Sequence, residues 1–198
     1  HAMLDANRLR ECVRDAYSAA AEKPDGSHAF PVGRVFAETV GYSAALLNSL
    51  PACAVDAFAG VSNVSVFAEL PEGAKVLDLG CGAGLDALIA GQRVGRRGQV
   101  IGVDFSDSML ARARSGAELA NAKNVEFKRA DAERLPLEDG SVDAALVNGI
   151  FNLNPARAML LGELARVLRP DGAAWVAELI LTEPLTEEVR ADPANWFA

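Results

Sequence analysis

The chain has little cysteine: only Cys12, Cys53 and Cys81 occur in 198 residues. They are scattered and odd in number, so they form neither a disulfide framework nor a metal-ligand spacing. Long apolar runs are lacking, and no stretch suffices to cross a membrane. The N-terminus carries charge at Asp5, Arg8 and Arg10 and has no signal-peptide core, so a cytosolic protein is expected. His1-Ala2-Met3 reads as a cloning remnant, and His1 is set aside. Basic charge is in deficit, with a net charge of -8 and a pI near 4.8. That argues against a general nucleic-acid or anionic-membrane binder. Arg93, Arg96 and Arg97 form a local basic cluster, read as a solvated loop, and His28 as an ordinary loop residue. An obvious acid–base constellation is also missing.

What is present centres on AKVLDLGCGAGLD, residues 74–86. Val76, Leu77 and Leu79 form a short apolar run that ends in Gly80, Gly82 and Gly84, and Leu85 to Val94 reads as a helix. A buried strand, a glycine turn and a helix N-terminus make a nucleotide cradle. The dinucleotide fingerprint requires G-x-G-x-x-G. Here the third glycine comes one residue early and Leu85 stands in its place, which disfavours a nicotinamide oxidoreductase. Asp78, inside the strand, would repel pyrophosphate but attract a cationic ligand. S-adenosylmethionine (SAM) is such a ligand, with a sulfonium, an ammonium and no phosphate.

Residues 4–22 have a helical pattern, with Leu4, Leu9, Cys12, Val13, Ala16 and Tyr17 near one face. Residues 23–27 break it. Short helices are expected between Phe30 and Phe58, one of them capped by Ser43. From Lys75 onward strands and helices alternate, which predicts a doubly wound, mostly parallel α/β sheet. The strands expected are 76–79, 100–103, 125–128, 142–147 and 173–181. Ser106 should cap a helix running to about Ala122, with Asp107 at its positive end. Asn154 should cap another, with Pro155 at its first position and a buried stripe of Leu160, Leu161, Leu164, Val167 and Leu168. Residues 169–172 should be a turn, and 183–189 a short tail helix before Trp196-Phe197-Ala198. Trp175 is read as core. Residues 1–70 are expected to be an N-terminal helical cap and 71–198 the ligand-binding α/β core.

Ligands of such sheets bind at the carboxyl ends of the strands. Asp78, Gly80, Cys81 and Gly82 end the first strand, with Cys81 read as a small filler. Asp104 ends the second, where a carboxylate can accept from both ribose hydroxyls. Phe105 and Met109 follow and can pack on an adenine.

VLDLGCGAG resembles the first motif of class I SAM-dependent methyltransferases. That resemblance implies a Rossmann-like core and SAM as methyl donor, with S-adenosylhomocysteine as product. It also implies that Asp131 approaches the adenine amino group beside the Ala132 N–H, and that Asn148 lies near the methionine portion. GYSAALLNSLP, FAGVSN, VIGVDFSDSMLARAR, VEFKRADAERLPL, NGIFNLNP and LTEEVRADP together resemble bacterial arsenite methyltransferases. That family binds arsenic through cysteine thiolates. One lies where this chain has Gly149, others where EKPDGSHAFPVG has none, and the family's C-terminal region is also missing. The expectation is therefore a methyltransferase with another small-molecule acceptor, working by in-line displacement. A donor-binding protein without turnover, a partner-dependent subunit, and arsenite methylation itself are the alternatives. Tyr17, Tyr42, Asn63, Asn148, Phe151 and Asn152 are the acceptor-side candidates. The class normally adds two strands beside the fifth, so that edge is expected to be covered by a homodimer, by an intermolecular strand pairing or by the tail folded over it.

Overall fold

The structure is a computed structural model that describes residues 6–184, 186, 187 and 189. Helix α1 (Ala6–Glu22) is followed by four short helices, α2 (Arg34–Thr39), α3 (Ala44–Asn48), α4 (Ala52–Val55) and α5 (Val64–Phe67). Alternation then begins: β1 (Lys75–Leu79), α6 (Leu85–Val94), β2 (Gln99–Asp104), α7 (Asp107–Leu119), β3 (Val125–Arg129) and β4 (Val142–Asn148). A 3-10 turn (Phe151–Leu153), α8 (Arg157–Val167) and β5 (Leu168–Ala177) complete it. The sheet is five-stranded in the order β3-β2-β1-β4-β5. Every pairing is parallel.

Successive residues of β1 point to opposite faces, and both faces are covered. Val76 packs with Ala87, Ala90 and Val94 of α6 and Leu110 and Ala113 of α7. Leu77 and Leu79 pack on the other face with Leu160, Leu164 and Val167 of α8. Fully burying one such leucine or valine contributes about 1.5–3 kcal/mol. A third cluster joins Leu47, Leu50 and Val55 of the N-terminal helices to Leu85, Leu88 and Ile89 of α6. Two expected caps form. The Ser43 hydroxyl accepts from the Leu46 N–H, and the Ser106 hydroxyl accepts from the Met109 N–H.

Several boundaries differ from expectation. α7 stops at Leu119, short of Ala122. Helix α8 begins at Arg157 rather than Pro155, because the Asn154 side chain accepts from the Ala156 N–H at 2.7 Å and closes a local turn first. Leu161 is 55% exposed while Leu160 is fully buried, so the stripe is narrower than expected. Strand β5 starts at Leu168 and ends at Ala177. The expected turn over 169–172 is absorbed into its irregular start, where the pairing with β4 shifts between Val142 and Ala144. Trp175 is half-buried against the core and meets Phe67 edge-to-face at 6.4 Å. In the basic cluster, Arg93 donates to the Ser65 and Val66 carbonyls and Arg97 pairs with Glu72. Residues 1–5, which include His1-Ala2-Met3 and Leu4, and 190–198 lie outside the described residues, as do 185 and 188 of the expected tail helix. Among the described residues no helix is long and apolar enough to cross a membrane.

Candidate functional site

Strand order reverses at β1, which is flanked by β2 on one side and β4 on the other. That is the switch point at which open α/β sheets bind ligands. A cleft of about 1080 Å³, counting its open mouth, lies there beneath α1. Gly80 turns with φ 69°, and a Cβ on it would lie 2.1 Å from Cδ1 of Ile150. Only glycine allows the chain to turn here and pass so close to the next wall.

Three buried carboxylates border the cleft: Asp78 (2% exposed), Asp86 (6%) and Asp104 (7%). No lysine, arginine or histidine is buried among the described residues. Oδ2 of Asp78 is buried without a hydrogen-bond partner. Burial pushes the Asp78 carboxyl well above its usual range, and the charges of Asp86 and Asp104 push it further, against the Ala87 amide. Asp104 accepts from the Gly82 N–H at 2.9 Å and the Ser106 N–H at 2.8 Å. Burial raises its pKa, opposed by the amides of Ser106, Gly82 and Phe105. The Cys81 thiol is pushed up by burial and then by Asp104 and Asp78, so it stays neutral.

All the residues expected to meet the cofactor border this cleft. Asp78, Gly80, Cys81 and Gly82 come from the glycine turn. Asp104, Phe105 and Met109 come from the β2–α7 junction, and Asp131, Ala132 and Asn148 from the ends of β3 and β4. The Asn148 side chain, however, is committed to the protein, bonding to Val61, Ser62 and Asp86.

The acceptor-side candidates divide. Tyr17 borders the cleft, stacked on Phe30 at 4.4 Å. Burial first, then Asp104 and Glu178, raise its pKa and keep the phenol protonated. The other tyrosine is a correction. Tyr42 is 2% exposed, lies outside the cleft, and donates to Asp86 at 2.5 Å and to the Ser62 carbonyl at 3.2 Å. Asn63 is also outside, donating to the Gly41 carbonyl at 3.1 Å. The Phe151 amide donates to Glu178, and Asn152 donates to Glu178 and the Leu179 carbonyl, so both are tied to the segment after β5. Their neighbours Ile150, Leu153 and Asn154 border the cleft instead.

Sequence reasoning missed Arg10, Glu133, Phe58 and Asp86. Arg10 pairs with Glu133 at 2.7 Å, and both border the cleft. The spacing of Arg10, Val13 and Tyr17 along α1 was a usable signal, since i, i+3 and i+7 share a helix face. No group of three or more His, Cys, Asp or Glu among the described residues could hold a metal ion.

A parallel sheet of this order, with acidic strand ends around a glycine turn, defines a nucleoside-binding fold suited to a cationic ligand. Residues 70–197 match the family model described as a methyltransferase domain. The arsenite methyltransferase of Halobacterium salinarum is 38% identical over 156 residues, 79% of this chain and 40% of that protein. The demethylmenaquinone methyltransferase of Lactococcus lactis is 38% identical over 100 residues, half of this chain and 40% of that one. An arsenic(III) S-adenosylmethionine methyltransferase from Chlamydomonas reinhardtii superposes with a TM-score of 0.62 and 32% identity, covering 82% of this chain and 54% of that one. The chain spans about half or less of the curated relatives it matches, 36% to 50% for the arsenite enzymes and a Streptomyces fradiae protein. The chain belongs to the class I SAM-dependent methyltransferases, whose methyl donor is SAM. The site fits that donor on its own terms: a buried carboxylate oxygen without a partner, among carboxylates with no buried cation among the described residues, suits a cationic ligand.

Proposed function

We propose that this chain binds SAM in the cleft and transfers its methyl group to a small-molecule acceptor by in-line displacement. The observation that carries this reading is the orphaned Oδ2 of Asp78, a buried carboxyl oxygen that an ammonium would complete. SAM supplies a methyl carbon already activated by positive sulfur. The protein's part is to hold the reactants in line and exclude water. Asp78 would take the ammonium. An ionised carboxylate offers about four lone-pair sites, and the amides of Gly82 and Ser106 use one on each oxygen of Asp104. The remaining sites would accept from the ribose hydroxyls. Phe105 and Met109 would pack on the adenine, with Asp131 and the Ala132 amide at its amino edge. Gly80, Cys81, Gly82 and the Asn148 backbone would border the methionine portion.

The remaining walls support an acceptor with an apolar body: Val13, Phe58, Ile150 and Leu153, with the neutral Tyr17 hydroxyl beside them. A protonated phenol is no general base, and none is needed unless the acceptor's nucleophile keeps its proton. Of the cysteines only Cys81 borders the cleft, which supports an acceptor other than arsenite. Titration calorimetry with SAM, S-adenosylhomocysteine and NAD tests the donor: the first two should bind and NAD should not. Labelled-methyl transfer to thiols, phenols, quinols, amines and arsenite then tests the acceptor. Failure of SAM to bind at millimolar concentration refutes the reading.

The same reading treats residues 6–70 as a cap on the core. It also includes a homodimer in which a second copy covers β5. That edge pairs with no further strand among the described residues, and Val176, Leu179 and Ile180 are exposed beside it. A monomeric sedimentation profile would refute the dimer. Unpaired cysteines support a reducing setting such as the cytosol, and the acidic charge supports a partner other than nucleic acid.

A further inference from the structure

Asp86, in the first turn of α6, has no role in the donor contacts above. Its Oδ1 accepts from the Tyr42 hydroxyl at 2.5 Å, the Ser65 N–H at 3.3 Å and the Ser65 hydroxyl. Its Oδ2 accepts from Nδ2 of Asn148 at 2.9 Å. Asn148 Nδ2 also donates to the Ser62 carbonyl at 2.7 Å, while its Oδ1 accepts from the Val61 N–H at 2.8 Å and the Ser62 N–H at 3.1 Å. An ionised carboxylate only accepts. Asp86, the Ser62 carbonyl and the two loop amides together fix which way the Asn148 amide faces: NH₂ toward Asp86, and carbonyl oxygen toward the two loop amides. The loop comes this close because residue 60 is glycine; a Cβ there would lie 2.6 Å from Nδ2 of Asn148. Phe58, Ala59 and Gly60, leading into that loop, form part of the cleft wall.

We infer that Asp86 is a positioning residue that holds the 60–62 loop, through Asn148, as a wall of the donor cleft. The inference rests on the donor reading proposed above. In Asp86→Asn one acceptor oxygen remains where there were two: turned toward Asn148, it leaves an NH₂ against the Ser65 N–H, and turned toward Ser65, it leaves an NH₂ against the Asn148 NH₂. If Asn148 turns over to relieve this, it presents donors to the Val61 and Ser62 amides, which are donors themselves. Each arrangement removes a hydrogen bond from the network that holds the loop. The exchanged pair, Asp86→Asn with Asn148→Asp, restores a donor at 86, an acceptor at 148 and acceptors for both loop amides, and leaves only the Ser62 carbonyl without its donor from residue 148.

The test measures SAM affinity by calorimetry and amide hydrogen exchange at 61 and 62. Asp86→Asn should weaken SAM binding by about tenfold or more and speed exchange at those amides, and the double variant should recover both in part. A merely structural loss of packing would not be rescued by the exchange. A loss smaller than tenfold, or a double variant no better than Asp86→Asn, overturns the inference. Should Asp86→Asn fail to fold, exchange in the parent decides: slow amides at 61 and 62 support the anchor and fast ones overturn it. A parent that binds no SAM refutes the donor reading, and the exchange data still judge the loop anchor separately.

Discussion

Replacing Asp78 by Asn should separate what the free protein needs from what the donor needs. In the free protein Asp78 is 2% exposed and one carboxylate oxygen has no partner. Its pKa is raised on folding. A raised folded-state pKa favours folding below the ordinary carboxylate range, and that stabilisation is lost as pH rises through the folded value. At neutral pH, above the ordinary carboxylate range, the group therefore opposes folding. An unsatisfied buried polar atom costs about 1–3 kcal/mol, and a neutral amide relieves part of this. For a chain of this size about 1 kcal/mol moves Tm by roughly 2–4 °C. Asp78→Asn should thus melt a few degrees higher than the parent at pH 7, with the gain vanishing in acid.

The donor should feel the opposite effect. A hydrogen bond to a charged group is worth about 1.5–3 kcal/mol, so losing the pair with an ammonium weakens SAM by roughly ten- to a hundredfold. S-adenosylhomocysteine keeps the ammonium and should weaken equally. In the parent a cationic ligand favours ionised Asp78, so affinity should climb with pH through the raised pKa; in Asp78→Asn that slope should disappear. Scanning fluorimetry on the free protein and calorimetry across pH supply both readings. A variant that melts lower and binds SAM as the parent does would refute the assignment of Asp78 as the ammonium site.

Other expectations follow from the same contacts. Asp104→Ala should weaken SAM by about tenfold or more by calorimetry and also lower Tm, because the amides of Gly82 and Ser106 lose their acceptor. Leu160→Ala should cost about 2–5 kcal/mol in urea unfolding, while Leu161→Ala, on the exposed side of the same helix, should stay within about 0.5 kcal/mol of the parent. Glu163 is held at about 2 by hydrogen bonds from Arg166, and its contribution should be lost as pH falls from 4.5 through that value. Acid unfolding of Glu163→Gln should lack that component.

The core was legible because its punctuation is local. Gly84 and Gly95 flank α6, so both ends of that helix follow from the sequence. The first four strands follow from apolar runs set at regular intervals, and the strand ends bring Asp78, Asp104 and Asp131 together without any knowledge of side-chain packing. The start of α8 was not legible, since Asn154 closes a two-residue turn that looks like a helix cap in the sequence. The acceptor side was the least legible. The roles of Tyr42, Asn63 and Asn152 are set by Asp86, Gly41 and Leu179, partners 22 to 44 residues away. A polar residue's type gives its bonding capacity, while its role depends on whether that capacity is already used.

That last point separates the two neighbouring buried aspartates. Asp78 and Asp86 are both nearly inaccessible and both border the cleft. Asp86 has neutral donors on each oxygen, from Tyr42, Ser65 and Asn148, and all are this chain's own groups. Asp78 has an oxygen with nothing on it. A carboxylate whose bonds are all made inside the fold can shape a site without meeting its ligand. One left incomplete in so dry a place costs stability that an arriving cation restores. Asp86 belongs with the wall and Asp78 with the donor, and variants at the two positions should therefore move free-protein stability and SAM affinity in different combinations.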